Sequence, residues 1–218
     1  MGLGQLADLE FEAVIFDMDG TLIDSTPAVE RAWTTWAEEH GLTRADLAGN
    51  HGVPSAGVVR MFIPAEQQET AIARINALEL EDVAGIVVLP GAAEALASLV
   101  NAKNAIATSC TMPLAKARIA AASLVPPSVL VTADMVKRGK PAPDPFLEAA
   151  RRLGVDPTRC LVVEDAPAGL EAARAAGCYT LAVVTTTSRD DLIADAVVDD
   201  LAAVTFDVTE TGIRVRLA

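Results

Sequence analysis

Short apolar runs separated by helical patterns constrain this chain more than any other feature. Five such runs occur, at 12–16, 105–108, 129–131, 160–163 and 180–184. Each is too short for a helix and shows little polar alternation, which is how a parallel strand buried on both faces reads. Between them lie Ala- and Leu-rich patterns of helical spacing at 92–100, 114–122, 144–153 and 167–176. Asp144 is placed to cap the third with Pro145 at its first position, and Gly154 and Gly177 follow helix ends. Strand alternating with helix implies an α/β fold: a parallel sheet with right-handed crossovers, covered on both faces. Ligands in such sheets bind beyond the carboxyl ends of the strands.

The segment 25–90 breaks the rhythm. Thr26-Pro27 opens a helix that carries Trp33 and Trp36, and a second helical pattern runs from about Ala65 to Leu80. No strand-like run separates them. The segment is expected to be a small all-helical domain inserted into a core made of 1–24 and 91–218, with Pro90-Gly91 as a hinge. The tail alternates at 205–208 and 213–217 around Thr209-Glu210-Thr211-Gly212, which predicts a hairpin.

Composition narrows the function. The chain has 218 residues, 51% of them hydrophobic and 22% charged, enough for a sizeable core. Lys and Arg number 17 and Asp and Glu 30, a formal charge of −13, which argues against nucleic acid as a partner. Cys110, Cys160 and Cys178 are widely spaced and form neither a disulfide framework nor a CxxC metal pattern. No apolar stretch is long enough to span a membrane, and 1–12 lacks a signal-peptide pattern. The expectation is a reduced, cytoplasmic monomer without a membrane partner.

Four blocks carry chemistry. In Phe16-Asp17-Met18-Asp19-Gly20-Thr21-Leu22-Ile23-Asp24-Ser25, two carboxylates two residues apart at a strand end can face one opening, and Gly20 allows a sharp turn. In Leu161-Val162-Val163-Glu164-Asp165-Ala166-Pro167-Ala168-Gly169, acids again end an apolar run just before a helix. If both strands share one sheet, Asp17, Asp19, Glu164 and Asp165 crowd together and call for a cation with a taste for oxygen, such as Mg²⁺. Two prolines stiffen Lys140 in Lys137-Arg138-Gly139-Lys140-Pro141-Ala142-Pro143-Asp144, an anion ligand in an otherwise acidic chain. Hydroxyls and backbone N–H groups in Thr108-Ser109-Cys110-Thr111 form a small anion cradle. Each block alone has a plainer reading: a turn, a helix-end charge, a solvated lysine, a polar loop.

Together and in this order, the four blocks resemble the motifs of the haloacid dehalogenase superfamily of phosphotransferases. The resemblance spans about Phe11 to Val184. It implies a Rossmann-like parallel-sheet core, and the insertion resembles the helical cap of the β-phosphoglucomutase and sugar-phosphatase branch. By that resemblance Asp17 is the nucleophile and Asp19 the general acid and base. Thr108, Ser109 and Lys140 would bind the phosphoryl group. Asp17, Asp19 through its carbonyl, Glu164 and Asp165 would hold Mg²⁺. Asn50, His51 and Arg60 are the polar candidates of the cap for the rest of the substrate. The implied function is a Mg²⁺-dependent phosphatase acting on a small phosphorylated metabolite, a sugar or polyol phosphate, through an aspartyl-phosphate. A phosphosugar mutase of the β-phosphoglucomutase type is the nearest alternative, and a non-catalytic binding module the more distant one. The dehalogenases lack an acid at the position of Asp19, because halide needs no proton. The phosphonate-cleaving branch uses a cap lysine, and none occurs between Met1 and Asn101.

Overall fold

The computed structural model describes residues 2–43, 45–47 and 54–218. Elements follow in chain order: β1 (Ala13–Phe16), β2 (Ile23–Asp24), α1 (Thr26–Glu39), α2 (Ser55–Phe62), α3 (Gln68–Glu81), β3 (Val87–Val88), α4 (Ala92–Ser98), β4 (Asn104–Ala107), α5 (Met112–Ala121), β5 (Val129–Val131), α6 (Asp144–Leu153), β6 (Cys160–Glu164), α7 (Pro167–Ala175), β7 (Tyr179–Val183), β8 (Ala196–Val198), β9 (Val204–Val208) and β10 (Ile213–Leu217). Six strands form one parallel sheet in the order β5-β4-β1-β6-β7-β8. The chain builds outward from β1 to one side through β4 and β5, then restarts on the other side at β6. The β1–β6 boundary is therefore the place where a crevice opens beyond the strand ends.

Alternation explains why β1 reads as unbroken apolar sequence. Val14 and Phe16 enter the core under α4, α5 and the β9–β10 hairpin, while Ala13 and Ile15 enter the opposite core with Phe146 and Ala149 of α6 and Ala172 of α7. All four residues of β1 are buried. Phe16 meets Phe206 of β9 edge to face, with ring centroids 5.8 Å apart. The hairpin is antiparallel, as its alternation requires.

Residues 26–81 contribute α1, α2 and α3, which surround a separate apolar cluster of Ala32, Trp36, Val59, Ile63, Ala71 and Ile75. Trp36 is fully buried and its indole N–H donates to the Ala71 carbonyl at 2.9 Å. Three elements carry little sequence signal: α2, the sixth strand β8, and an antiparallel ribbon of β2 with β3 at the base of the insertion. The last places a strand at 87–88, inside the segment expected to be helical throughout. One expectation is corrected. Asp144 does not cap α6, because its carboxylate accepts from the backbone N–H of Arg138 at 3.2 Å and from its guanidinium at 2.8 Å. The pairing with Arg138 holds that carboxylate below its usual range and turns it toward the preceding loop rather than the helix end. No described helix is long and apolar enough to cross a membrane.

Trp36→Ala removes the largest side chain of the insertion's cluster. It should cost about 3–5 kcal/mol in chemical denaturation; a loss under about 1 kcal/mol would mean that the helices do not pack around that ring.

Candidate active site

The site begins with register. β1 and β6 are parallel neighbours with Phe16 opposite Val163, so the residues that follow, Asp17 and Glu164, emerge side by side at the sheet rim. The backbone N–H of Asp17 donates to the Val163 carbonyl at 2.9 Å, which fixes that exit. Asp165 follows at once. Carboxylate oxygens of Asp17, Glu164 and Asp165 lie within 4.8 Å of one another, and all three residues are buried.

Lys140 opposes them. It sits on the loop before α6, 3% exposed, and its ammonium donates to Asp17 and, at 2.7 Å, to Glu164. The Phe146 ring lies 5.1 Å from the same nitrogen. Burial alone would pull this ammonium down, but Asp17 and Glu164 more than offset it and raise it above its usual value. Glu164 is satisfied on both oxygens. One takes Lys140; the other accepts the backbone N–H groups of Asp165 and Ala166 at 2.8 and 2.9 Å. Gly169 in α7 makes room for it, since a Cβ there would sit 1.6 Å from the carboxylate.

Asp165 accepts the hydroxyls of Thr21, at 3.2 Å, and Thr186. Gly20 turns the chain beside it with φ +86°, and a Cβ there would come within 2.2 Å of an Asp165 oxygen. Both the left-handed backbone and the close approach therefore require glycine. Burial raises Asp17 well above the usual carboxylate range, with Glu164 and Asp165 adding to the rise and Lys140 opposing it. Burial, with the Glu164 charge, pushes Asp165 up to about 7. Three carboxylates against one ammonium leave two negative charges when all are ionised. That deficit, hard oxygen donors and the upward shifts together fit a divalent cation.

A cavity of about 560 Å³ opens above this cluster, between the sheet rim and the insertion. Asp17, Asp19 and Asp165 line it, as do Thr108 and Ser109 from the loop after β4. Glu164 and Lys140 stand behind that wall. The Thr108 hydroxyl accepts the Cys110 N–H at 3.1 Å, so it braces the loop that carries the backbone N–H groups. Asp19 lies apart from the three-carboxylate cluster. Its carboxylate accepts Ser25 Oγ at 2.6 Å, an Arg118 nitrogen at 2.9 Å and the Cys110 thiol at 3.1 Å. Burial, reinforced by Asp19, raises the Cys110 thiol well above its usual range, so it stays protonated.

Of the cap candidates, Arg60 is exposed on α2 and does not line the cavity. Asn50 and His51 lie outside the described residues. The insertion instead presents Trp33, Ser55, Asn76 and Glu79 to the cavity. Arg118 of α5 also lines it, pairing with both Asp19 and Glu79. Sequence reading passed over Arg118 and Glu79, yet a signal existed. Arg118 falls on the buried stripe Leu114, Ala115, Arg118, Ile119, and Glu79 on the stripe Ala71, Ile75, Glu79. A charge at helical spacing among core positions needs a partner inside.

The profile of the haloacid dehalogenase-like hydrolases matches residues 11–177, which contain every block described above. The chain belongs to this family. Hexitol phosphatase A of Escherichia coli is 47% identical over 175 residues, 78% of this chain and 81% of that protein. Glycerol-1-phosphate phosphohydrolase 1 of Saccharomyces cerevisiae is 33% identical over 198 residues, 84% of this chain and 79% of that protein. Among solved structures, a hydrolase from Pseudomonas syringae superposes with a TM-score of 0.80 at 28% identity, covering 88% of this chain and 94% of that one. The hydrolase thus shares its parallel-sheet fold with that protein.

Metal-stripped hydrolase should lose stability with rising pH. Asp165 holds its proton up to about 7 when folded, whereas an unfolded Asp releases it near pH 4. The stabilisation is full below about pH 4 and lost through about pH 7. Melting temperature after chelation should fall from about pH 4 to about pH 7, and Asp165→Asn should flatten that fall. An equally steep decline in Asp165→Asn would place the titrating group elsewhere.

Proposed function

We propose that this hydrolase is a phosphatase that removes the phosphoryl group from a small sugar or polyol phosphate, working as a cytoplasmic monomer. The observation that carries the reading is the pairing of Asp17 and Asp19 at one cavity, one beside a buried ammonium and the other beside Arg118. Two carboxylates in different surroundings suit two tasks, attack and proton transfer. The names of the Escherichia coli and yeast relatives, a hexitol phosphatase and a glycerol-1-phosphate phosphohydrolase, support the substrate class.

In this reading the Asp17 carboxylate attacks phosphorus in line, the ester P–O bond breaks, and an aspartyl-phosphate forms. Asp19 gives its proton to the departing alkoxide oxygen, then takes one from the water that attacks the phosphorus and frees Asp17 and phosphate. Thr108 and the backbone of Ser109 hold the phosphoryl oxygens, and Lys140 offsets charge from behind Asp17. Asp17, Asp165 and the Asp19 carbonyl would hold Mg²⁺, with Glu164 acting through water because its oxygens already serve Lys140 and two backbone N–H groups. When bound, Mg²⁺ supplies neutralising charge at the phosphoryl oxygens. Residues 25–90 act as a cap that closes over the substrate and excludes water, on a core of 1–24 and 91–218.

A mutase must seat a second phosphate against the cap. Among the described residues, the insertion lines the cavity with no lysine or arginine, and its charged groups there are Glu30 and Glu79. Arg31 and Arg74 pair with Asp82 and Glu39 on exposed surface instead. With Glu79 matched by Arg118, the described lining of the insertion suits an uncharged polyol tail and offers a second phosphate no cation of its own.

Hexitol phosphates, glycerol 1-phosphate and fructose 1-phosphate should release inorganic phosphate with Mg²⁺ present, and EDTA should abolish the release. Asp17→Asn should lose at least about 1,000-fold in kcat, and Asp19→Asn about 100-fold or more. Turnover unchanged in chelator would remove the metal from the reading. Conversion of β-glucose 1-phosphate to glucose 6-phosphate with a bisphosphate primer, in place of phosphate release, would turn it to the mutase.

A further inference from the structure

Behind Asp19 runs a chain of buried polar groups to which the mechanism above gives no task. Arg118, 4% exposed, sends one terminal nitrogen to Asp19 Oδ1 at 2.9 Å and to the Cys110 sulfur at 3.3 Å. Its other terminal nitrogen donates to Glu79 Oε1 at 3.1 Å, and Ser55 Oγ donates to Glu79 Oε2 at 3.1 Å. Glu79 lies near the end of α3 and Ser55 opens α2, both in the insertion, whereas Arg118 lies on α5 and Asp19 on the turn after β1. One planar guanidinium thus spans the boundary between insertion and sheet rim.

A buried ion pair contributes little net stability compared with apolar packing of the same volume. What a guanidinium does supply is direction, because its donors stand in a rigid fork that fixes two carboxylates relative to one another. Ser25 holds Asp19 from within its own chain segment, and Arg118 holds it from across the cavity wall. Moving α3 away would strip Glu79 from the fork and loosen the far side of Asp19.

We propose that Arg118 is a positioning residue that aims the Asp19 carboxylate and makes that aim depend on the seating of α2 and α3 over the cavity. The proposal rests on the phosphatase reading, in which Asp19 must meet the leaving oxygen. A misplaced acid costs turnover more than binding, so the signature lies in kcat rather than KM.

The test compares wild type, Arg118→Met, Glu79→Gln and the double variant Arg118→Met/Glu79→Gln on a hexitol phosphate with Mg²⁺, recording kcat, KM and melting temperature. Arg118→Met leaves Glu79 buried without its cation and should lower both melting temperature and kcat. The double variant leaves no unpaired charge on the insertion side, and Asp19 keeps 24% of its side chain exposed to water. It should regain most of the melting temperature while kcat stays about 30-fold down and KM stays within about threefold. It carries the comparison even where Arg118→Met alone does not fold. Glu79→Gln should lower kcat by about threefold, because only the insertion end of the fork is weakened.

Recovery of kcat together with melting temperature in the double variant would reduce Arg118 to a structural role. A raised KM at wild-type kcat would make it a substrate ligand instead. An unchanged kcat in Glu79→Gln would overturn the link to the insertion. Wild-type protein inert on every phosphate ester would sink the phosphatase reading itself, whereas an active wild type with an equally active double variant sinks the role of Arg118 alone.

Discussion

A buried ammonium holds the working end of this molecule together. Lys140 lies under the rim of the sheet and touches carboxylates from two different strands, Asp17 after β1 and Glu164 at the end of β6. Without it, adjacent parallel strands would bring their largely buried acids into mutual repulsion. Lys140 meets only part of that charge. Asp17 and Asp165 remain raised by burial and by the neighbouring Glu164 charge, and this unmet demand for positive charge is what a divalent cation answers. The surrounding details serve the same end. Gly169 gives Glu164 its space, and Gly20 lets the loop pass against Asp165.

The cavity belongs to two parts of the chain. The sheet rim supplies Asp17, Asp19, Thr108 and Ser109; the insertion supplies Trp33, Ser55, Asn76 and Glu79. One wall of the cavity thus comes from strand ends of the sheet and the other from helices with an apolar cluster of their own. Among the described residues, that helical wall brings neither lysine nor arginine to the cavity. Arg118 joins the two parts through its ion pairs with Asp19 and Glu79.

Local pattern determined much of this by itself. Apolar runs between helical stretches fix a parallel α/β sheet, because strands buried on both faces admit no polar alternation. Acids at the ends of two such runs, a lysine stiffened by prolines and a hydroxyl-rich loop were all visible in the chain, and the parallel register of β1 and β6 brings Asp17, Glu164 and Asp165 to one rim. Only tertiary structure decided the rest. The short strands β2, β3 and β8 exist because a neighbour completes their hydrogen bonds, which two or three residues cannot signal alone. Asp144 abandoned the helix end for Arg138 because a guanidinium fork outcompetes a lone N–H. Arg118 and Glu79 sit on apolar stripes that read as core, and their charges become intelligible only when α5 meets α3, because a buried charge takes its meaning from a partner distant in sequence.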